Sequence, residues 1–322
     1  MLAYITQWWN NALDQQCEVR VIALDIKKAF DRVWHRGLLA KIRSFGIQGD
    51  LYQWIKSFLD NRQQSVVLDG YTSTKKTISA GVPQGSILGP VLFLMFIDDL
   101  SAHLENSLHL FADDSTLHLT IKNNEDRSPS RDSLQRDLDS VQAWASDWCV
   151  IFNASKTEDM IVSRKRNLNH QPLFFMNNRL VPSSDITLLG VTISNTLSWS
   201  RNISTIAKKT ARRIYILGRT KSLLPLNVRI IVYKSYIRPL MEYASPIWSG
   251  AGVSSLRLLD KLQRKALRLL NIDDPRGAGI QPLAHRRDVA SLCVFYRHIF
   301  LKPSVELSSL MPVAKPARLK SD

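Results

Sequence analysis

The chain has 322 residues, of which 45% are hydrophobic and 22% charged, with a formal net charge of +15. No apolar run approaches the roughly 20 residues that span a bilayer, and the N-terminus lacks a basic segment followed by an apolar signal core. The three cysteines are too far apart for a metal-binding spacing, and their odd number argues against a disulfide framework. We therefore expect a globular intracellular protein with no membrane partner.

Hydrophobic periodicity predicts helices and strands in mixed order over the first 200 residues. The predicted helices are 1–14, 36–45, 50–59, 86–104 and 132–148. The predicted strands are 18–25, 63–68, 74–80, 160–163, 173–176 and 186–193, with turns at Asp69-Gly70 and Asn177-Asn178 and a polar loop at 122–131. After Ser194 the pattern is helical to about Leu301, with breaks at Pro225, Pro239 and 273–277.

Positive charge is concentrated in one segment. Residues 201–300 contain 19 Lys and Arg against 5 Asp and Glu, whereas residues 1–200 contain 20 against 21. Basic and apolar residues alternate there at helical spacing, as around Lys208, Lys209, Arg212 and Arg213. Such a face suits a polyanion such as nucleic acid, and a merely solvated helix surface is the alternative.

Carboxylates lie at the ends of two apolar runs. Asp113 and Asp114 separate the runs 108–110 and 117–119, which predicts a β-hairpin with both acids at its turn. Asp25 ends the apolar strand that begins at Val21. Adjacent like charges repel, and a divalent cation would stabilise carboxylates that converge from separate strands. A solvated turn is the alternative explanation of the acidic pair.

The segment from Gly81 to Pro90 is rich in glycine and precedes an apolar helix. Glycine lets the backbone approach a ligand closely, and a helix N-terminus presents amide donors to phosphate. The spacing matches neither the P-loop nor the dinucleotide fingerprint. We therefore expect a phosphate- or base-binding loop outside the common nucleotide-binding folds.

Taken in chain order, residues 23–31, 81–90 and 111–114 resemble motifs A, B and C of reverse transcriptases, most closely those of LINE-type (non-LTR) retrotransposons. Residues 153–157 resemble motif D, and residues 188–191 resemble motif E, the primer grip. The basic helices that follow resemble the thumb region of the same elements.

The resemblance implies an α+β fold. A right-hand polymerase palm, an antiparallel sheet with packed helices, would be followed by an all-helical basic thumb. The implied domains are 1–194 for the palm with a remnant of the fingers, 195–272 for the thumb, and 273–322 for a C-terminal helical extension and tail.

The resemblance also implies roles for single residues. Two Mg²⁺ ions would be held by Asp25, Asp113, Asp114 and the backbone of Ile26. Lys156 is the candidate acid for the departing pyrophosphate. The implied nucleotide-binding residues are Ile26, Lys28, Ala29, Phe30, Gln84 and Gly85. The implied primer grip is Leu189 and Gly190, and the implied nucleic-acid contacts are Lys208, Lys209, Arg212 and Arg213.

Several residues have competing explanations. The resemblance makes Phe30 a steric gate against the ribose 2′-hydroxyl, whereas its helical stripe with Val33 is also typical of a core position. For Lys156, a plain surface lysine is the alternative to the catalytic role that the resemblance implies. Asp98-Asp99 is interpreted as a helix end. Asp31 and His35 are expected to make local polar contacts, and His103, His118 and His285 show no ligand spacing.

The implied function is RNA-directed DNA synthesis, the addition of dNTPs to a primer 3′-hydroxyl, with an RNA template and a DNA primer or target DNA as partners. A ribonucleoprotein of the nucleus and cytoplasm is the expected setting. Ala154 stands where motif D usually has proline, and only 24 residues precede Asp25, so we expect an N-terminally truncated chain. A catalytically inactive nucleic-acid-binding remnant is the alternative. A viral RNA polymerase is less favoured, because Phe30 occupies the region of its second motif A acid.

Overall fold

The computed structural model describes residues 1–122, 127–165, 170–272, 274–275 and 277–301. The chain divides into two compact units, one formed by residues 16–184 and the other by residues 1–15 together with residues from 185 onward. We call them the sheet unit and the helical unit. The hairpin around residue 190 belongs to the helical unit, so this division differs from the boundary after residue 194 that the resemblance implies.

The elements of the described residues alternate as the sequence indicates. The helices are α1 (Leu2–Asp14), α2 (His35–Ser44), α3 (Gly49–Leu59), α4 (Leu88–Ile97), α5 (Arg127–Asp147), α6 (Ser200–Arg219), α7 (Leu226–Val232), α8 (Arg238–Glu242), α9 (Ser245–Trp248), α10 (Val253–Leu270) and α11 (Leu283–Tyr296). The strands are β1 (Glu18–Leu24), β2 (Gln63–Gln64), β3 (Val67–Leu68), β4 (Tyr71–Thr72), β5 (Lys76–Thr77), β6 (Ser107–Phe111), β7 (Asp114–Ile121), β8 (Glu158–Val162), β9 (Leu173–Phe175), β10 (Asn178–Leu180), β11 (Pro182–Ser183), β12 (Asp185–Leu188) and β13 (Val191–Ser194).

A five-stranded sheet in the order β11-β8-β1-β7-β6 forms the centre of the sheet unit. Its neighbouring strands are antiparallel, apart from the short parallel pair of β11 and β8. Side chains from α2, α3, α4 and α5 share one hydrophobic core with β1 and β7. In α5 the buried residues Leu134, Leu138 and Val141 are three and four positions apart, as an amphipathic helix requires.

Strand β1 is buried on both of its faces. Ile22 and Leu24 enter the core beneath the helices, and Val19 and Val21 on the opposite face are also fully buried. This explains the nearly continuous apolar run that predicted the strand. Arg20 interrupts the run.

The guanidinium of Arg20 is buried against the carboxylate of Asp159 in β8. Arg20 Nε and Nη2 donate to the two carboxylate oxygens at 3.1 and 2.6 Å, and Nη1 donates to the carbonyl of Gln171 at 2.9 Å. The two side chains are 1% and 0% exposed. The pair therefore joins two central strands through fully desolvated charges.

In the helical unit, α6 and α10 pack against each other around Ile203, Ile214 and Leu259, and the same core includes Tyr233 and Trp248. No helix among the described residues is both long and apolar enough to cross a membrane.

The predicted break at Pro239 is wrong. Helix α7, a π-helical turn at Tyr233–Ile237 and α8 follow one another without interruption to Glu242. Pro239 is the second residue of α8 and lies just after the π-helical turn, where the hydrogen-bond spacing of the helix changes, so the chain stays helical although proline lacks an N–H. The break expected at Pro225 is confirmed, because this residue immediately precedes α7.

The single strand predicted at 186–193 is also wrong. The structure has the β12–β13 hairpin there, with its turn at Leu189 and Gly190. Both turn residues have positive φ, +47° and +78°, as a two-residue type I′ turn requires. Leu-Gly lacks the usual Asn or Asp signal, so the apolar alternation runs through the turn without a visible break.

Three predicted boundaries need smaller corrections. Helix α5 begins at Arg127, inside the predicted polar loop, and residues 123–126 of that loop lie outside the described part of the chain. Helix α4 ends at Ile97 and is followed by a 3₁₀ turn at Asp98–Ser101, because the apolar run gives way to two acids. The turn predicted at Asn177-Asn178 lies one residue earlier, where Met176 and Asn177 have positive φ.

Candidate active site

Three carboxylates lie at the same end of adjacent strands. Strands β1 and β7 pair with Leu24 opposite Ser115, and this register extended by one residue sets Asp25 opposite Asp114. Strands β6 and β7 form a hairpin whose last pair is Phe111 and Asp114, so Asp113 lies in the two-residue turn. The sheet therefore brings together the acids of two distant chain segments.

The turn itself is strained. Ala112, which precedes Asp113, has a left-handed backbone with φ +52°. This conformation costs a residue with a Cβ atom about 1 kcal/mol. The tight turn places Asp113 at the tip of the hairpin and leaves Asp114 as the first residue of β7.

Crowded negative charge marks this end of the sheet. Burial raises the pKa of the Asp114 carboxyl above its ordinary value, and the charges of Asp113 and Asp25 raise it further. A bound cation would oppose that shift, and carboxylate oxygens suit Mg²⁺. In the described part of the chain, no group of three or more His, Cys, Asp or Glu side chains is arranged to hold a metal ion. Phosphate oxygens and water would have to complete the coordination of any Mg²⁺ bound by these acids.

Lys156 lies beside Asp25. Its Nζ is 3.6 Å from Asp25 Oδ2, and the two side chains are 68% and 35% exposed. Main-chain hydrogen bonds connect the two segments, because Asn153 N donates to the carbonyl of Asp25 at 2.7 Å and Lys27 N donates to that of Ile151 at 2.8 Å. Residues of the predicted motif D are thus bonded directly to residues of the predicted motif A.

The glycine-rich segment is bonded to the chain that follows Asp25. Gly81 N donates to the carbonyl of Val33 and Val82 N to that of Phe30, both at 2.8 Å. Gly81 has φ +94°, and a Cβ there would lie 2.7 Å from the carbonyl oxygen of Asp31, so only glycine fits. The close approach fixes the start of the predicted motif B on the end of the predicted motif A.

The expectation of local contacts for Asp31 and His35 is wrong. Asp31 Oδ1 accepts a hydrogen bond from Gln84 Nε2 at 2.8 Å, and His35 Nε2 donates to the carbonyl of Gly81 at 2.7 Å. Both side chains therefore reach the glycine-rich segment, since the two segments lie side by side. No signal in the sequence marked these contacts.

The predicted nucleotide-binding residues lie in the same part of the sheet unit. Ile26 and Ala29 are buried, whereas Lys28 is exposed and has a left-handed φ of +56°. The partly buried ring of Phe30 stacks on Phe93 of α4, with centroids 4.7 Å apart and an interplanar angle of 26°. Gly85 has φ +80° and open space around its Cα. The stacking on Phe93 accounts for the apolar character of the helical stripe that Phe30 forms with Val33. It also holds the Phe30 ring in one place.

Sequence reasoning missed a basic groove next to these residues. The groove has a volume of about 980 Å³ and is lined by the segments 62–64 and 76–84 together with Lys28, Asp31 and Arg32. Arg62 and Lys76 are the further cations, so four positive charges face one negative charge. Such a lining favours a polyanionic ligand. Hydrophobic periodicity predicted strands in these segments but carries no information on which segments face one another across a groove.

The Asp98-Asp99 pair has a structural role. It follows the last residue of α4, which confirms the interpretation as a helix end. Asp99 accepts hydrogen bonds from the ammonium of Lys41 and from Trp144 Nε1, and Lys41 Nζ lies 3.6 Å from the ring centroid of Trp148. Burial lowers the pKa of Lys41, and the contact with Asp99 opposes the shift.

Of the histidines without ligand spacing, His118 has a partner. Its Nε2 is 2.9 Å from that of His109 on the neighbouring strand. Burial, and to a lesser extent the neighbouring His109, lower the pKa of His118 to about 3, so the ring is neutral at physiological pH. The contact between His118 and His109 is therefore a polar contact between two neighbouring strands of the sheet.

The helical unit carries the remaining predicted residues. Lys208, Lys209 and Arg212 are exposed on α6, whereas Arg213 donates to the carbonyl of Tyr236 and lies over its ring at 3.8 Å. Helix α10 presents a second exposed basic stripe, which sequence reasoning did not single out. Its residues are Arg257, Lys261, Arg264 and Arg268, spaced by four, three and four positions. This spacing keeps all four on one face of the helix.

Residues 5–193 match the reverse transcriptase (RNA-dependent DNA polymerase) family, and the chain belongs to that family. Its relatives come from non-LTR mobile elements. The chain is 33% identical over 261 residues to the RNA-directed DNA polymerase from mobile element jockey of Drosophila melanogaster, covering 77% of this chain and 28% of the relative. It is 29% identical over 268 residues to the probable RNA-directed DNA polymerase from transposon X-element of the same species, covering 80% and 29%.

The chain thus spans less than a third of the length of these curated relatives. A solved structure, apo telomerase from Candida tropicalis truncated from the C-terminal domain, superposes with a TM-score of 0.43 at 16% identity. That superposition covers 61% of this chain and 38% of the telomerase chain.

Proposed function

We propose that this chain carries the polymerase centre of a non-LTR retrotransposon reverse transcriptase, which adds dNTPs to a primer 3′-hydroxyl on an RNA template. The observation that carries the proposal is the convergence of Asp25, Asp113 and Asp114 at one end of β1 and β7, with the pKa of Asp114 raised. In these terms the sheet unit carries most of the proposed palm, residues 1–194, and the helical unit carries the proposed thumb, residues 195–272. Mg²⁺-dependent extension of a primer on an RNA template by the purified chain tests the proposal.

The acids are proposed to bind metal, and Lys156 is proposed to donate a proton. Asp25 and Asp113 would bind two Mg²⁺ ions, with Asp114 adding charge and the backbone of Ile26 adding an oxygen ligand. Bound Mg²⁺ stabilises the attacking and leaving oxygens of an in-line displacement at phosphorus. Lys156, 3.6 Å from Asp25, holds a proton at Nζ that it can give to the pyrophosphate as it leaves.

The groove beside motif A supports binding of the triphosphate and of the template strand. Lys28 lines it three residues after Asp25, and Gln84 lines it from the opposite segment. The hydrogen bond between Gln84 and Asp31 orients that amide toward the groove. Arg32, Arg62 and Lys76 supply the positive charge that phosphates require.

Substitution of Phe30 tests the steric gate. We expect Phe30→Ala to raise ribonucleotide incorporation relative to deoxynucleotide by about tenfold, because the aromatic ring would no longer exclude the 2′-hydroxyl. Incorporation of matched rNTP and dNTP by the same preparation measures the ratio. Phe30→Tyr keeps the aromatic wall and serves as the control.

Because Phe30 also packs on Phe93, the alanine variant loses core contact. Phe30→Val retains more of that contact and provides a second test of the ratio. An unchanged ratio in both folded variants would leave Phe30 with packing as its function.

The basic helices are proposed to bind the nucleic-acid backbone. We expect Lys208→Glu combined with Arg212→Glu to weaken binding to an RNA–DNA duplex and to lower the slope of log K against log salt by about one per lost phosphate contact. Arg36→Glu combined with Lys56→Glu makes the same charge change on exposed positions of α2 and α3 and is the matched control. Fluorescence anisotropy over a salt series measures both slopes. Equal slopes in the two double variants would exclude the α6 face.

A nucleic-acid-binding protein without polymerase activity is the second candidate. The exposed basic faces of α6 and α10 favour it, because they can bind phosphates without the carboxylates of the sheet unit. This function would be supported if the chain bound the RNA–DNA duplex in the salt series but extended no primer at any Mg²⁺ concentration.

A further inference from the structure

We propose that Tyr243 is a positioning residue that locks the turn of the β12–β13 hairpin. Through this turn it would hold the primer grip predicted at Leu189 and Gly190. The consequence for the primer rests on the proposed function, whereas the lock itself rests on contacts within the helical unit.

The hairpin needs external support. Among the described residues its two strands pair only with each other, as a two-stranded sheet of four residues a side. A two-stranded hairpin is marginally stable in water on its own. Its turn contains Leu189 at φ +47°, a conformation that L side chains rarely adopt. Such a turn keeps one geometry only if neighbouring groups fix it.

Tyr243 donates one hydrogen bond to this turn and lies next to its second residue. Its hydroxyl donates a hydrogen bond to the carbonyl oxygen of Leu189 at 2.8 Å. The edge of its ring faces Gly190, where a Cβ atom would lie 3.7 Å from Tyr243 Cε1. The phenol therefore bonds to the first residue of the predicted primer grip and lies beside the second.

Tyr243 is itself held firmly at its backbone. Its amide donates to the carbonyl of Pro239 at 2.9 Å, closing the end of α8. Its carbonyl accepts a hydrogen bond from Nε1 of Trp248 at 2.9 Å, and Trp248 is fully buried in the core of the helical unit. The ring thus extends from a fixed point, although the side chain is 56% exposed.

Helix α6 holds the strands of the hairpin but not its tip. Asn202 Oδ1 accepts a hydrogen bond from Thr192 N at 3.2 Å, and Arg201 forms an ion pair with Asp185. These contacts lie at β13 and at the start of β12. Tyr243 supplies the contact at the turn, so both the strands and the tip of the hairpin are bonded to helices or loops of their own unit.

The variant Tyr243→Phe tests the lock, because it removes one hydroxyl and keeps the ring and its backbone anchors. We expect amide hydrogen exchange over residues 188–192 to be about two- to tenfold faster, in line with the loss of one hydrogen bond. We expect the KM for primer–template to rise by a similar factor, with the KM for dNTP unchanged. Tyr71→Phe, at an exposed tyrosine of the sheet unit, is the matched control.

The two measurements separate the inference from the proposed function. Unchanged exchange at 188–192 would overturn the lock, whatever the kinetics. Faster exchange with equal changes in both KM values, or with no change in either, would overturn the link to the primer. A wild-type chain without polymerase activity rejects the proposed function, while faster exchange in Tyr243→Phe would still establish the lock.

Discussion

Replacing Asp113 with asparagine is expected to abolish Mg²⁺-dependent primer extension, with a fall of about a thousandfold in rate. The change removes one negative charge from the tip of the β6–β7 hairpin and leaves its shape almost unaltered. Loss of a carboxylate that binds a metal costs several kcal/mol of transition-state stabilisation. A loss of about 4 kcal/mol corresponds to a roughly thousandfold fall in rate. Single-nucleotide extension on an RNA template with Mg²⁺ measures it.

The matched control is Asp69→Asn. Asp69 is an exposed turn residue with φ +49°, which asparagine adopts as readily as aspartate does. The control makes the same charge change in a hairpin that carries none of the proposed metal ligands, so its extension rate should match the wild type. Equal rates for Asp113→Asn and the wild type would remove the β6–β7 turn from the catalytic centre.

The second large effect is expected on stability. Asp159→Asn should lower the free energy of unfolding of the sheet unit by about 3–5 kcal/mol, because it leaves the buried guanidinium of Arg20 without a compensating charge. The pair joins β1 to β8, and both side chains are almost completely buried. Urea denaturation of the variant and the wild type measures the difference.

Asp132→Asn is the control for this stability effect. The pair of Arg131 and Asp132 is partly exposed, with side chains 25% and 54% accessible, so its loss should change stability by less than about 1 kcal/mol. Arg20→Met combined with Asp159→Leu should recover much of the lost stability, since apolar side chains can replace a buried pair. A loss below 1 kcal/mol in Asp159→Asn would mean that water or another group compensates Arg20.

The sequence was most informative where chemistry and periodicity coincide. The run from Val21 ends at Asp25 because β1 is buried on both faces and emerges at that residue. The acids at 113 and 114 separate two apolar runs because they occupy the turn and the first position of β7. Their convergence at one end of the sheet was expected because a divalent cation binds carboxylates from separate strands, whereas the antiparallel register of β1 and β7 left no local signal.

Features that depend on long-range packing could not be predicted. The contacts of Asp31 and His35 with the segment 81–84 follow from a close approach that glycine at 81 permits. The turn at Leu189 relies on Tyr243, more than fifty residues later in the chain, to hold an unusual conformation. Propensity describes the chain over a few residues and carries no information on such partners.

The main-chain hydrogen bonds that link Lys156 to Asn153, and Asn153 to Asp25, have a consequence for how this centre tolerates sequence change. The amide of Lys156 donates back to the carbonyl of Asn153 at 3.0 Å, and the amide of Asn153 donates to the carbonyl of Asp25. Main-chain groups thus hold the backbone of Lys156 near that of Asp25. Neither hydrogen bond uses the amide of residue 154 or 155, so Ala154 can replace the proline usual in motif D, and these two positions can change further, without loss of either bond.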